Sequence, residues 1–175
     1  MENDFNLDVT LAVKGDCSAF ARLYSIVYKD LYHIALAGLH NPQDAADVVS
    51  DTVMDAFASV KKLRDVYAFK AWIFRILSNK IKRKQSEYIN DPKAVEEDEY
   101  ARKIGKTNFN FENVELAEEF SKLSDEERMI LSMSVLCGYT SDEIAQICKI
   151  KSSSVRSKLS RTKEKLRMAL SMLML

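Results

Sequence analysis

A chain of 175 residues and 20.0 kDa has room for one domain or two small ones at roughly 100 to 200 residues each, which excludes a large multidomain machine. Its 26 basic and 26 acidic residues cancel, and 47% hydrophobic with 30% charged residues describe a soluble globular chain and exclude disorder throughout. Only 4 Gly and 2 Pro punctuate the length, too few for the turns of a sandwich or barrel, so the expectation is all-α.

In chain order, Asp16 can cap a helix running to about Leu39, with Phe20, Leu23, Tyr24, Val27, Leu31, Ile34 and Ala35 on its buried stripe. Asn41-Pro42 breaks the chain, and Pro42 fits the first turn of the next helix, where its missing N–H costs nothing. In that helix Ala45, Val48, Val49, Thr52, Ala56 and Val60 share one face, while Asp44, Asp47, Asp51 and Asp55 form a mutually repelling line on another. Asp65 opens a further helix through about Glu87, apolar at Phe69, Ile73, Ile76, Leu77 and Ile81; its other face carries Trp72, Arg75, Asn79, Lys82 and Arg83.

From Asn90 to about Phe111 the periodicity fails, Pro92 and Gly105 appear, and the acid cluster Glu96-Glu97-Asp98-Glu99 reads as a solvated linker. The expected organisation is two small helical domains, residues 1–88 and 113–175, joined by an acidic linker at 89–112. Beyond it, Ser124-x-x-Glu127 and Thr140-x-x-Glu143 are two capping boxes, and Gly138 sits where a helix end favours positive φ. The helices implied run from Asp125 to Cys137, from Ser141 to Cys148, and from the Ser152-Ser153-Ser154 cluster to near the end.

The zero net charge conceals segregation. Residues 1–60 carry 3 basic and 9 acidic side chains, 61–90 carry 9 and 2, 91–127 carry 5 and 12, and 128–175 carry 9 and 3. Two basic segments, each beside an acidic one, suggest two surfaces for a polyanion, although ordinary solvated helix faces also segregate charge. No apolar run reaches the about 20 residues of a membrane span. The start Met1-Glu2-Asn3-Asp4-Phe5 is acidic where a signal peptide is basic then apolar. The chain is therefore expected in the cytoplasm without membrane insertion.

Cys17, Cys137 and Cys148 form no Cys-x-x-Cys pair, and His33 and His40 share no carboxylate at ligand spacing. Buried thiols are expected, with neither disulfides nor a metal. Without a Gly-rich phosphate loop or a Ser/His nucleophile signature, the residues favour neither an enzyme nor a cofactor.

The short helix 141–148, the turn Lys149-Ile150-Lys151 and the basic helix after it make a helix-turn-helix, whose second helix enters the DNA major groove. Val155, Leu159, Thr162 and Leu166 should face the core, leaving Arg156, Ser157, Ser160 and Arg161 outward. An outward Arg suits bidentate pairing with guanine, whereas Ser and Lys suit backbone or mixed contacts. The candidate upstream DNA contacts are Ser154, Arg156, Ser157, Lys158, Ser160, Arg161 and Lys165. An amphipathic helix with a merely soluble face is the competing reading.

These residues resemble the bacterial RNA polymerase sigma factors of the small extracytoplasmic-function type. Gly138-Tyr139-Thr140-Ser141-Asp142-Glu143-Ile144-Ala145 and the run from Ser154 to Leu166 are similar to the family's C-terminal signature, Gly-x-Ser/Thr-x-x-Glu-Ile-Ala, a turn, then Thr-Val-Lys/Arg-Ser-Arg-Leu. The segment from Asp44 to Val53 resembles its Asp-Ala-Glu-Asp-Leu-Val-Gln-Glu stretch, and Phe69 to Asn79 its Phe-x-x-Trp-Leu-x-x-Ile-x-x-Asn. Ser50, Asp51, Ser124 and Ser153 depart from the usual Gln, Glu, Pro and Gly. A helix-turn-helix activator of the luminescence-regulator type shares the C-terminal motif but leaves the Trp72 to Asn79 face unexplained.

The resemblance implies a region-two domain that docks on the clamp helices of the polymerase's largest subunit and helps open the promoter's minus-ten element, and a region-four domain on the minus-thirty-five element. The minus-ten contacts would be Lys61, Lys62, Arg64 and Tyr67 on a basic loop, then Trp72, Arg75, Asn79, Lys82 and Arg83, since single-stranded DNA is held by cations and aromatic rings together. Trp72 and Tyr67 could equally be core residues. Asp44, Asp47, Asp51 and Asp55 would face the polymerase, with a plain solvated face as the alternative. An anti-sigma factor, or closure of the two halves on each other, is expected to hold the free protein inactive. The Met-rich end from Met168 to Leu175 either adds to such a contact or simply finishes the last helix. A helix-turn-helix regulator or an interaction protein built on the same fold, without initiation activity, is the other reading.

Overall fold

The structure, a computed structural model, describes residues 2–90 and 114–173. Its regular elements are helical throughout those residues: α1 (Glu2–Val13), α2 (Cys17–Leu39), α3 (Pro42–Ser59), 3-10 turns at Val60–Lys62 and Val66–Ala68, α4 (Phe69–Asn90), α5 (Val114–Ser121), α6 (Asp125–Val135), α7 (Ser141–Cys148) and α8 (Ser152–Leu173). The expected linker lies almost wholly outside the described residues.

Local chemistry sets most of the joints. Asp16 Oδ1 accepts from the Ala19 N–H at 2.9 Å, and Asn41 Oδ1 accepts from Gln43 and Asp44 just ahead of α3, with Pro42 in the first turn. Each cap satisfies a donor that has no partner within the helix. Asp65 caps the 3-10 turn that leads into α4, so the α-helix itself starts at Phe69. Ser124 and Thr140 both close reciprocal capping boxes with Glu127 and Glu143. Gly138 follows α6 with φ +72, as its position requires, but α6 ends at Val135 rather than Cys137. Two other corners use left-handed residues that are not glycine, His40 after α2 and Lys149 after α7.

The buried faces of α2, α3 and α4 follow the predicted stripes, with Tyr24 and Ile76 only half-buried. Val155, Leu159 and Thr162 face inward from α8 as expected. Two helices escaped the periodicity. One is α1, whose Val9 and Ala12 are buried and whose Phe5 meets the Phe69 ring edge-on at 5.8 Å. The other is α5, which leads to the buried Phe120 and Leu123. The cysteine expectation also needs correction: Cys148 is buried and Cys137 half-buried, but Cys17, the first residue of α2, is exposed. Met168 at the C-terminal end is exposed, and the side chains from Met172 onward lie outside the described residues.

A single core runs through both halves. The end of α2, from Ile34 to Leu39, is buried on every side because α6 covers the flank that α3 and α4 leave open. Gly38 stands at the closest approach: a Cβ there would lie 2.9 Å from Ile81 on α4 and 3.1 Å from the Met129 sulfur on α6. Phe74 of α4 meets Tyr139 edge-on at 5.2 Å, and α4 packs along α7. Leu31 is fully buried in this core. Leu31→Ala is expected to lower stability by about 2 to 5 kcal/mol, the usual cost of a Leu-sized cavity, in urea denaturation followed by helix circular dichroism.

Candidate nucleic-acid interface

The helix-turn-helix is built from α7 and α8. Thr140 starts α7, Lys149 turns the chain in the left-handed conformation, and Ile144, Ile147 and Val155 lock the two helices together. The packing leaves Arg156, Ser157, Ser160 and Arg161 on one exposed face, where they line an open concavity. Ser154, in the first turn, is half-buried.

Two of the candidate cations point elsewhere. Lys158 Nζ lies 2.7 Å from Glu126, and Lys165 Nζ lies 2.7 Å from Glu127, so both brace α8 against the start of α6. Arg156 is steered from α7: its Nη1 donates to Ser152 Oγ at 2.9 Å and lies 3.7 Å from Asp142, which also accepts from that hydroxyl. The sequence did not show that Asp142 and Ser152 would meet at Arg156, because ten residues and a turn separate them. Arg161 Nε donates to the Ser157 carbonyl at 3.3 Å and stays exposed.

The second cationic face is on α4 and the loop before it. Lys61, Lys62, Arg64 and Tyr67 are exposed, Tyr67 by 80% of its surface, so it is no core residue. Trp72 is half-buried, tilted against Phe69 at 5.8 Å between ring centres. Asn79, Lys82 and Arg83 are exposed along the helix, with Glu87 3.7 Å from Arg83. Lys70, exposed and 5.3 Å from the Phe5 ring centre, extends the same surface and was missed. Arg75 is different: its Nη2 donates to the Gln146 carbonyl of α7 at 3.1 Å.

The acid line on α3 is not left to repel itself. Lys80 Nζ sits 2.7 Å from Asp55 and 3.9 Å from Asp51, and Lys84 Nζ sits 3.0 Å from Asp44, which also accepts from the Tyr88 hydroxyl. Asp47 accepts from Gln43 at 3.3 Å. Asp47, Asp51 and Asp55 remain exposed, whereas Asp44 is largely taken into the α3–α4 seam.

Buried titratable groups gather where α2 meets the α6–α7 turn. Burial pushes the Asp30 carboxyl up, raises the Cys137 thiol to about 12 with Asp30 adding to the effect, and raises the Tyr139 hydroxyl. His33 is lowered by the same burial. A thiol held protonated in this way is a poor nucleophile. Among the described residues no cluster of three or more His, Cys, Asp or Glu is placed to hold a metal, and no helix is long and apolar enough to cross a membrane.

Two cationic faces, one of them on a helix-turn-helix, coincide with two family matches. Residues 23–86 match the model for sigma-70 region 2, and residues 113–166 match the model for sigma-70 region 4. The chain belongs to the extracytoplasmic-function sigma factors. It is 22% identical over 169 residues to the ECF RNA polymerase sigma factor SigW of Bacillus subtilis (strain 168), covering 88% of this chain and 90% of that one. The RNA polymerase sigma factor SigV of the same organism is 25% identical over 145 residues, with 81% and 85% covered. Among solved structures, CnrH in complex with the cytosolic domain of CnrY matches the fold with a TM-score of 0.70 at 22% identity, covering 96% and 97% of the two chains. The sigma factor RpoE in complex with the anti-sigma factor NepR from Bartonella quintana matches at 0.68 and 19%, covering 87% and 96%. As a sigma factor the protein directs transcription initiation by RNA polymerase, and the family consists of DNA-binding transcription factors.

In this sigma factor Glu127 links the α6 cap to α8. The Lys165 ammonium, and then the Ser124 backbone N–H, hold its carboxyl at about 2, well below the usual value of 4.5. Because the folded value is depressed, the stabilisation is present above about pH 4.5 and is lost as pH falls toward 2. Glu127→Gln should therefore be less stable than the parent by about 1 kcal/mol at pH 7. Urea midpoints measured down the pH scale should converge below pH 4.5 and coincide near 2.

Proposed function

We propose that residues 1–88 form the region-two unit and residues 113–175 the region-four unit of this sigma factor, each using the face described above. Asp47, Asp51 and Asp55 on α3 supply the acidic surface that meets the clamp helices of the polymerase's largest subunit, with Asp44 a lesser contributor because Lys84 and Tyr88 already hold it. The basic loop Lys61, Lys62, Arg64 and Tyr67, with Trp72, Arg75, Asn79, Lys82 and Arg83, receives the opened minus-ten strand. An exposed aromatic among cations suits unstacked bases.

The α8 face reads the minus-thirty-five duplex. Its exposed group Arg156, Ser157, Ser160 and Arg161 is the observation that carries this assignment. A groove-facing guanidinium at the N-terminal end of a recognition helix supports base readout by Arg156, whereas Arg161, one turn further on, suits phosphate. Lys158 and Lys165 contribute mainly by positioning α8 on α6.

The protein acts without catalysis of its own, in the cytoplasm with core polymerase and promoter DNA. An anti-sigma partner is part of the proposal, supported by two structural neighbours: CnrH in complex with the cytosolic domain of CnrY, and RpoE in complex with the anti-sigma factor NepR.

Arg156→Ala should alter preference at individual upstream positions, costing about 1 to 3 kcal/mol at the base it reads. Arg161→Ala should weaken binding equally on all sequences and reduce the salt slope by about 1. Mobility-shift titrations on a randomised upstream element at two salt concentrations measure both, and equal loss on every sequence for Arg156→Ala would move that residue to the phosphate class. Asp51→Lys should lower affinity for core polymerase by fluorescence anisotropy and leave upstream DNA binding unchanged. Unaltered core affinity would make the acidic line a plain solvated face.

A further inference from the structure

Arg156 leaves α8 with its guanidinium already held. Ser152, one turn earlier on the same helix, accepts from Nη1 at 2.9 Å, and its hydroxyl in turn donates to Asp142 in the first turn of α7. A hydroxyl has one donor and two acceptor positions, so Ser152 serves both neighbours at once. Asp142 also lies 3.7 Å from Nη1 directly. The series Asp142, Ser152, Arg156 thus crosses the turn of the helix-turn-helix and ends on the concavity that Arg156, Ser157, Ser160 and Arg161 line.

These contacts add little to stability, since the side chains of Arg156 and Asp142 are 62% and 75% exposed and ion pairs in water are weak. Their effect is on geometry. A free arginine side chain loses many rotamers when it binds, and one already held loses fewer. With Nη1 engaged by Ser152, the edge formed by Nε and Nη2 is left, and its parallel N–H groups match the O6 and N7 acceptors of guanine. Arg161 shows the contrast: its Nε already donates to the Ser157 carbonyl at 3.3 Å, so the same edge is not open there. The acid has a second consequence. A carboxylate beside a surface that receives DNA repels phosphate on every sequence alike, whereas the contact it arranges serves one base pair.

We propose that Asp142 and Ser152 are positioning residues for base readout: they preset the Arg156 fork for a guanine of the upstream element, and Asp142 lowers general DNA affinity while raising selectivity. The proposal rests on the assignment of Arg156 to a base. The test uses holoenzyme reconstituted with core RNA polymerase on promoter fragments with a randomised upstream element, scored base by base. The full-length chain alone is titrated on a fluorescein-labelled mixed-sequence duplex 20-mer.

Asp142→Ala and Ser152→Ala should each reduce the preference at the base pair read by Arg156 by about fivefold to tenfold, and leave other positions within about twofold. Asp142→Asn keeps an acceptor for the Ser152 hydroxyl and should retain most of that preference. Both Asp142 variants should bind the mixed duplex at least as tightly as the parent, with unchanged thermal midpoints. In an Arg156→Ala background, Asp142→Ala should change the preference no further. Full preference in Asp142→Ala and Ser152→Ala, while Arg156→Ala flattens one position, would overturn the positioning role and leave Arg156 as a base reader. Equal loss at every position with a lowered midpoint for Asp142→Ala would show a residue that only starts α7, and would overturn it too. Equal loss at every position for Arg156→Ala itself would overturn the base assignment, and the proposal with it.

Discussion

A guanidinium keeps its charge at any pH a protein meets, so an arginine taken out of water must find acceptors around its whole fork. Arg128 is only 3% exposed, and it meets that demand from three parts of the chain. Its Nε donates to the Ala37 carbonyl near the end of α2, Nη1 to the Ser121 and Leu123 carbonyls in the α5–α6 turn, and Nη2 to Asp125 at the start of α6. One side chain thus fixes where α6 begins and where it lies on α2. Gly38, one residue along, lets α4 and α6 approach the same spot because no Cβ fills it. Removing one partner of such a buried charge costs more than the pair itself contributes, since the remaining group is left without solvent.

From that anchor the placement of the two cationic faces follows. With α6 held on α2, the α6–α7 turn brings Tyr139 onto Phe74, and α7 runs along α4 with its carbonyl end at Arg75. Helix α8 packs on the far side of α6 and α7, where Glu126 and Glu127 take Lys158 and Lys165. What remains outward on α8 is the group a groove can receive. The same packing bonds Arg75 of α4 to the Gln146 carbonyl of α7 and leaves Asn79, Lys82 and Arg83 exposed along the helix. On α3, Lys80 and Lys84 lower the mutual repulsion of the acid line and leave Asp47, Asp51 and Asp55 exposed.

Helix starts were legible because a cap is a local event: Asp16, Asn41, Ser124 and Thr140 each satisfy N–H groups two or three residues ahead. The outward set on α8 was legible for the same reason, since periodicity needs no knowledge of the rest of the fold. What escaped involves partners far apart in sequence. Lys158 and Lys165 read as free cations because Glu126 and Glu127 lie 32 and 38 residues away. Arg128 counted as one more charge in a basic segment, with nothing nearby to show that an N-terminal helix would bury it. Helix α1 was missed because only Val9 and Ala12 are fully buried, too few to mark a stripe. The apolar run Ile34 to Leu39 did carry a usable signal, because a stretch apolar on all sides needs cover from all sides, and the N-terminal helices alone could not provide it.

The measurement that most directly tests whether the two faces together direct initiation is run-off transcription with core RNA polymerase on a library of genomic fragments. The account predicts discrete start sites that share two sequence elements, one opened by the α4 face and one read by the α8 face. Transcripts no different from those of core polymerase alone would contradict it.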